Sequence, residues 1–184
     1  MIIKYFLSFL SHPAFKENKI SIIMNCINLI FSIILKRDKI INLKTNSNIV
    51  KFNFVPLAKA AGSRGIFIYR ENYEPLLKFC DQLINKNDIV VDIGANQGIY
   101  SIFFSKIVGP NGKVIAVEPF QEMIQHLKKN INLNNFENIK IFKKVVSNNI
   151  GFETLDFGKG YVSASIVRNF SSDKKLKVES TTID

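Results

Sequence analysis

The run from Val90 to Pro119, VVDIGANQGIYSIFFSKIVGPNGKVIAVEP, constrains the fold more than any other part of the chain. An apolar strand, Ile89 to Val91, ends in Asp92, and a tight turn containing Gly94 and Gly98 leads into an apolar helix. The helix stops at Gly109-Pro110-Asn111-Gly112, a dense turn signal. A second strand, Val114 to Val117, then ends in Glu118-Pro119. Strand, helix and strand in one run predict a β-α-β unit and therefore a parallel sheet of the α/β class, with an acid at the tip of each strand.

Each residue type has a separate chemical reason. Gly94 and Gly98 let the backbone turn sharply and approach a ligand that a Cβ would push away. The helix opening near Gly98 presents unpaired N–H groups. Glu118 stands about 20 residues past the turn, where a carboxylate can accept hydrogen bonds from both hydroxyls of a ribose. Nicotinamide and adenosylmethionine sites share that arrangement, and the turn separates them. Asn96 and Ile99 occupy places where a dinucleotide fingerprint requires glycine. Asp92, just before the turn, suits the ammonium end of a methionine moiety and is a poor neighbour for a pyrophosphate. The residues therefore favour S-adenosyl-L-methionine, held by Asp92, Gly94, Asn96, Gly98 and Glu118.

The segments DIGANQG followed by Tyr100, VIAVEPF, and QEMIQHLKKNINLNN resemble the FkbM family of methyltransferases. Tyr73-Glu74-Pro75 upstream, Val145-Val146-Ser147-Asn148 with Gly151 downstream, and the final Thr181-Thr182-Ile183-Asp184 are similar to further family segments, and the likeness covers about residues 49 to 184. It implies a class I methyltransferase with a Rossmann-like sheet and methyl transfer to oxygen, on a glycan or small metabolite. It adds Tyr100, Glu74 and Ser147 to the candidate cofactor contacts. No residue is singled out as a general base. The family continues with a fourth strand that has no counterpart here, so the expectation is an incomplete domain: three strands plus an added hairpin, half a crevice, and a first strand with an unpaired edge. The alternatives are an inactive truncated remnant and an RNA methyltransferase.

The net charge of +10 is unevenly placed. Residues 1 to 60 carry nine basic side chains against Glu17 and Asp38, a balance of +7. Residues 1 to 48 are expected to form a basic, apolar helical arm ahead of a methyltransferase domain over 49 to 184. The segment Ile20 to Leu35 is short for a membrane span, and Ser21, Asn25, Asn28 and Ser32 fall on one stripe of a helix. Such a helix packs on the domain or lies in a membrane interface with Lys19, Lys36 and Arg37 at its ends. No nucleic-acid recognition motif stands out. Two cysteines are too few for a disulfide framework, which places the chain in the cytoplasm, with peripheral membrane contact open. Cys80 is expected to be a buried thiol on an apolar helix face. His12 and His126 lack metal-ligand spacing, and no metal is expected.

Elsewhere the alternation of Val50, Phe52 and Phe54 predicts a strand, and Ile66 to Tyr69 a second short one. A helix from Gln121 to Asn134 with Ile124, Leu127 and Ile131 on one face precedes a third strand, Ile139 to Val146. Val162, Ala164 and Ile166 predict an added hairpin strand before 175 to 181.

Overall fold

A computed structural model of the chain describes residues 12–45, 47–56, 63–156, 164–166 and 175–184. The predicted unit is present. Strands β3 (Ile89–Ile93), β4 (Lys113–Val117) and β5 (Ile139–Phe142) form a parallel sheet in the order β3-β4-β5, with Val90 opposite Val114 and Val114 opposite Ile139. Helix α5 (Ile99–Val108) connects the first pair, and α6 (Gln121–Leu133) connects the second. The apolar stripe of α6 is the reason it lies on the sheet, since Met123, Ile124, Leu127 and Ile131 are all buried. Glu122 in its first turn suits the helix dipole.

An antiparallel hairpin of β1 (Lys39–Lys44) and β2 (Ile49–Phe54) packs against the helices, with β2 on both α5 and α6. Its alternating pattern puts Ile41, Leu43, Val50, Phe52 and Phe54 inside, in one cluster with Ile99, Ile102 and Phe103 of α5. Phe52, Phe54 and Phe103 are fully buried, each worth about 2–3 kcal/mol by removal from water. Helices α1 (Pro13–Glu17), α2 (Lys19–Ile34), α3 (Ser63–Tyr69) and α4 (Leu77–Leu83), with a 3-10 turn at Arg70–Tyr73, complete this side. Leu29 of α2 joins the same cluster.

Several expectations change. Strand β1 falls inside the span read as a helical arm, and it pairs with β2 on the far side of residue 48. Ile66 to Tyr69 lies in α3 rather than in a strand, because a short unbroken apolar run has no period to distinguish the two. The expected third strand is two: the chain leaves the parallel sheet after Phe142, and β6 (Val145–Val146) starts a second sheet. There β8 (Lys175–Thr181) lies between β6 and β7 (Gly151–Asp156), parallel to the first and antiparallel to the second. Of the predicted added strand, Val162 lies outside the described residues, and Ser165 bridges Asp156. Cys80 is only half-buried, because Leu77 is the inward residue of α4 while Leu76, Phe79 and Leu83 face outward. Strand β3 is an edge strand among the described residues, with Ile89, Val91 and Ile93 exposed.

The polar stripe of α2 also has a different use. The Asn25 side chain donates to the carbonyl of Ile68 at 2.9 Å and accepts from Arg70 at 2.9 Å, and Ser32 is fully buried, donating to the carbonyl of Arg37 at 2.7 Å. The inner edge of the stripe therefore faces the protein.

Two asparagines on α6, one turn apart, bind the layers together. Asn130, fully buried, accepts from the Asn53 N–H at 2.7 Å and donates to the Gln97 carbonyl at 2.8 Å, joining β2 to the glycine turn. Asn134 brackets the Lys51 backbone, accepting at 2.8 Å and donating at 2.7 Å. Asn130→Ala leaves two inner backbone groups without partners, at about 1–3 kcal/mol each. We expect chemical denaturation to show a loss of about 2–4 kcal/mol, against less than half of that for Asn134→Ala at its more exposed position.

Candidate active site

The site begins where β3 and β4 end side by side, with Asp92 opposite Ala116 and Ile93 opposite Val117. The turn after β3 folds back onto β4 through the carbonyl of Val117, which accepts from the N–H groups of Gly94 (2.9 Å) and Ala95 (3.1 Å). Gly94, Asn96 and Gly98 all have positive φ (77°, 51° and 85°), a run that glycine and asparagine adopt at least penalty. The Asn96 side chain supports its own conformation by accepting from the Gln97 N–H at 2.8 Å.

The two glycines do different work. A Cβ on Gly94 would meet no atom within 4 Å, because this glycine lines an open cavity. A Cβ on Gly98 would stand 2.1 Å from Leu127 Cδ1. Gly98 thus lets α6 approach the turn and is absent from the cavity wall, where the sequence had placed it beside the ligand.

Glu118 is buried, and its two oxygens are both engaged: Oε2 accepts from the Asn96 N–H at 2.8 Å and Oε1 from the Phe120 N–H at 2.9 Å. Burial raises its pKa and these two backbone donors partly offset the rise. A carboxylate offers about four acceptor positions, so about two remain for a ligand. Asp92 is likewise buried and raised by burial, with Ser101 Oγ donating to its Oδ2 at 2.5 Å.

The cavity beside Glu118 encloses about 410 Å3, and Asp92 is not among the residues that line it. Gly94, Asn96 and Glu118 form one wall, and Phe120, Met123, Val145 and Leu155 give it an apolar side. Ala164 to Ile166 and Lys144 to Val146 close the far end. A volume within the usual range for small-ligand pockets, with few polar groups convergent on one wall, suits a nucleoside-sized molecule. The apolar wall escaped the sequence reading, since Phe120, Met123 and Leu155 look like ordinary core residues and only the placement of the second sheet brings Leu155 to the opening.

Besides Asp92 and Gly98, three further predicted contacts do not line the cavity. Tyr100 donates its hydroxyl to Glu74 Oε2 at 2.9 Å, and neither residue lines the cavity. Burial, followed by the Glu74 carboxylate, raises the Tyr100 pKa. Ser147 belongs to the second sheet: its N–H donates to the Thr181 carbonyl at 2.9 Å and its hydroxyl to Glu153 at 2.7 Å. It is the residues just before it, Lys144 to Val146, that reach the cavity. Behind the turn, Gln97 Nε2 donates to Ser63 at 2.6 Å, while its buried Oε1 has no hydrogen-bond partner among the described residues. Among the described residues no group of three or more His, Cys, Asp or Glu could hold a metal ion.

A parallel β-α-β-α-β unit, with a glycine turn after its first strand and a buried acid after its second, is the Rossmann-like arrangement of a class I methyltransferase, which dinucleotide-binding folds share. Residues 74–165, half of the chain, match the family model of protein-L-isoaspartate(D-aspartate) O-methyltransferase, and the chain belongs to that family. The cofactor of class I methyltransferases is S-adenosylmethionine, and an open cradle at Gly94 with spare acceptor positions on Glu118 fits it. The chain is 32% identical over 73 residues to a ribosomal protein L11 methyltransferase of Thermoanaerobacter sp. (strain X514), covering 40% of this chain and 23% of that protein. It is 30% identical over 88 residues to protein-L-isoaspartate O-methyltransferase 1 of Archaeoglobus fulgidus, covering 47% and 40%. A solved S-adenosylmethionine-dependent methyltransferase from Aquifex aeolicus aligns with 30% identity and a TM-score of 0.32 over 33% of this chain and 32% of its own. The chain thus spans less than half the length of these curated relatives.

The contrast between the glycines is measurable without ligand. Gly94→Ala is expected to cost about 1–2 kcal/mol, from left-handed backbone alone. Gly98→Ala adds overlap with the fully buried Leu127 and is expected to cost about 2–4 kcal/mol, and in thermal unfolding the Gly98→Ala/Leu127→Ala double variant is expected to lose less than the sum of the two single variants.

Proposed function

We propose that this chain forms the cofactor-binding part of an S-adenosylmethionine-dependent methyltransferase that methylates oxygen on a glycan or small metabolite. The observation that carries the cofactor assignment is Glu118: a buried carboxylate at the cavity wall, oriented through both oxygens by backbone N–H groups. Preorganised in this way, its remaining acceptor positions meet the two ribose hydroxyls without a search through rotamers. Phe120, Met123 and Leu155 supply an apolar slot for the adenine ring. Asp92 places negative charge toward the methionine ammonium, and Ser101 holds its carboxylate in position. The bound cofactor supplies an electrophilic methyl on sulfonium. What these residues contribute is orientation, by which positioning lowers the barrier to an in-line transfer.

The oxygen acceptor is supported by the family match, whose name specifies O-methyl transfer, and its glycan or metabolite character by the FkbM-like segments, among them Tyr73-Glu74-Pro75 and Val145 to Asn148. The bond from Tyr100 to Glu74 links one of these segments to the start of α5 next to Asp92. A panel of glycan, small-molecule, protein and RNA acceptors assayed with radiolabelled cofactor tests this, and exclusive labelling of protein or RNA would overturn it.

Glu118→Ala is expected to weaken S-adenosylhomocysteine binding by about 1.5–3 kcal/mol in calorimetry. An unchanged affinity would refute the assignment.

Binding and stability should move in opposite directions with pH. The Asp92 and Glu118 pKa values are raised above their ordinary 3.8 and 4.5, so the folded protein holds these protons more tightly than the unfolded chain. Their ionisation therefore lowers stability as pH rises through the interval between ordinary and raised values. The ionised forms are the ones that accept from ribose and face an ammonium. On acidification from pH 7, affinity should begin to fall while both groups' contribution to stability grows. Parallel calorimetry and thermal unfolding across this range check it, and in Glu118→Gln the affinity should be weaker and less dependent on pH.

A further inference from the structure

We propose that α2 docks this protein in the plane of an anionic lipid bilayer. Its outward face is apolar. Ile20, Ile23, Ile27, Ile30, Phe31 and Ile34 are between 41% and 82% exposed, and at 100° per residue they span one arc of the helix with no charged residue within it. The polarity is inverted relative to a helix of a water-soluble domain, since Asn25 and Ser32 bind toward the protein while isoleucines point away from it. A continuous exposed apolar patch of this kind marks an interaction surface.

Charge decides between occupants. Lys16 in the last turn of α1 and Lys19 at the first position of α2 precede the apolar face, and Lys36, Arg37 and Lys39 follow its end, against Glu17 and Asp38. None of these cations forms an ion pair among the described residues. Packed against a second copy, the face would bring the Lys16 and Lys19 end beside either the same end or the Lys36 and Arg37 end of its partner, both of them positive. The sixteen residues give only about two heptads and carry no charges flanking the ridge, so a helical dimer has neither length nor register. An anionic surface accepts both ends at once, with isoleucine and phenylalanine reaching below the headgroups. Among the described residues no helix is long and apolar enough to cross a membrane, which agrees with a helix lying in the interface.

The test is flotation of the full chain with phosphatidylcholine vesicles, with and without phosphatidylglycerol. Binding is expected to be about tenfold or more stronger on the anionic vesicles, and to fall as salt rises from about 0.1 M to about 1 M and the screening length shrinks from about 10 Å to about 3 Å. Ile27→Asp/Phe31→Asp should abolish it with an unchanged circular dichroism spectrum and melting temperature, because both side chains are exposed. Lys19→Glu/Lys36→Glu/Arg37→Glu should remove the preference for anionic lipid. Equal binding to neutral vesicles at high salt, retention of binding by the aspartate double variant, or vesicle-independent dimerisation that this variant abolishes would each overturn the proposal.

Discussion

The interaction on which the rest of the site depends is the pair of backbone hydrogen bonds accepted by Glu118. One comes from the turn after β3 and the other from the entrance to α6, so a single carboxylate ties two strand ends and a helix together at the place where the cavity opens. Burial of this group is unfavourable for its charge, and two donors from rigid backbone make the burial sustainable. Asn96 also has positive φ, which explains why a tolerant residue type stands there.

Behind that joint lies a neutral layer. Leu127 fills the space that Gly98 leaves, Asn130 holds the Gln97 carbonyl, and Gln97 reaches Ser63 on α3. The turn is thus braced by two contacts from α6 and one from α3, and Asn130 carries the brace on to β2. A ligand at Gly94 meets a surface whose shape is set before it arrives, which is where affinity from preorganisation originates.

The β-α-β unit was legible in the sequence because each of its parts has a local signature: alternating or continuous apolar strands, a glycine turn, a Gly-Pro-Asn-Gly stop. Asp92, Gly94, Asn96 and Glu118 were legible for the same reason, and the structure places all four around the end of the paired strands. Strand β1 was not, since Lys39 to Lys44 is defined by its pairing with β2 rather than by its own pattern. Strand β7 was missed because Gly151 to Asp156 has no clear alternation of apolar and polar residues and is held by its register with β8. The packing role of Gly98 was not legible, since its missing side chain makes room for Leu127, a residue 29 positions away in sequence. Asn130 was not singled out in the sequence, and Asn134 was read only as the end of the helix. Their role comes from a strand about 80 residues earlier, and no local window contains it.

Behind the Glu118 joint, the layers are held by amides and hydroxyls: Asn130 and Asn134 to β2, Gln97 to Ser63. Among the described residues there is one ion pair, Lys144 with Glu179 at 3.5 Å. Among the described residues, a chain of net charge +10 thus forms one ion pair at 3.5 Å against many neutral joints. Its lysines repel one another across the folded surface, and the scaffold beneath is indifferent to ionic strength. Dissolved salt therefore relieves the folded state of self-repulsion while it screens the same lysines from any acidic surface outside, so that conditions favouring the compact protein are those in which it adheres least.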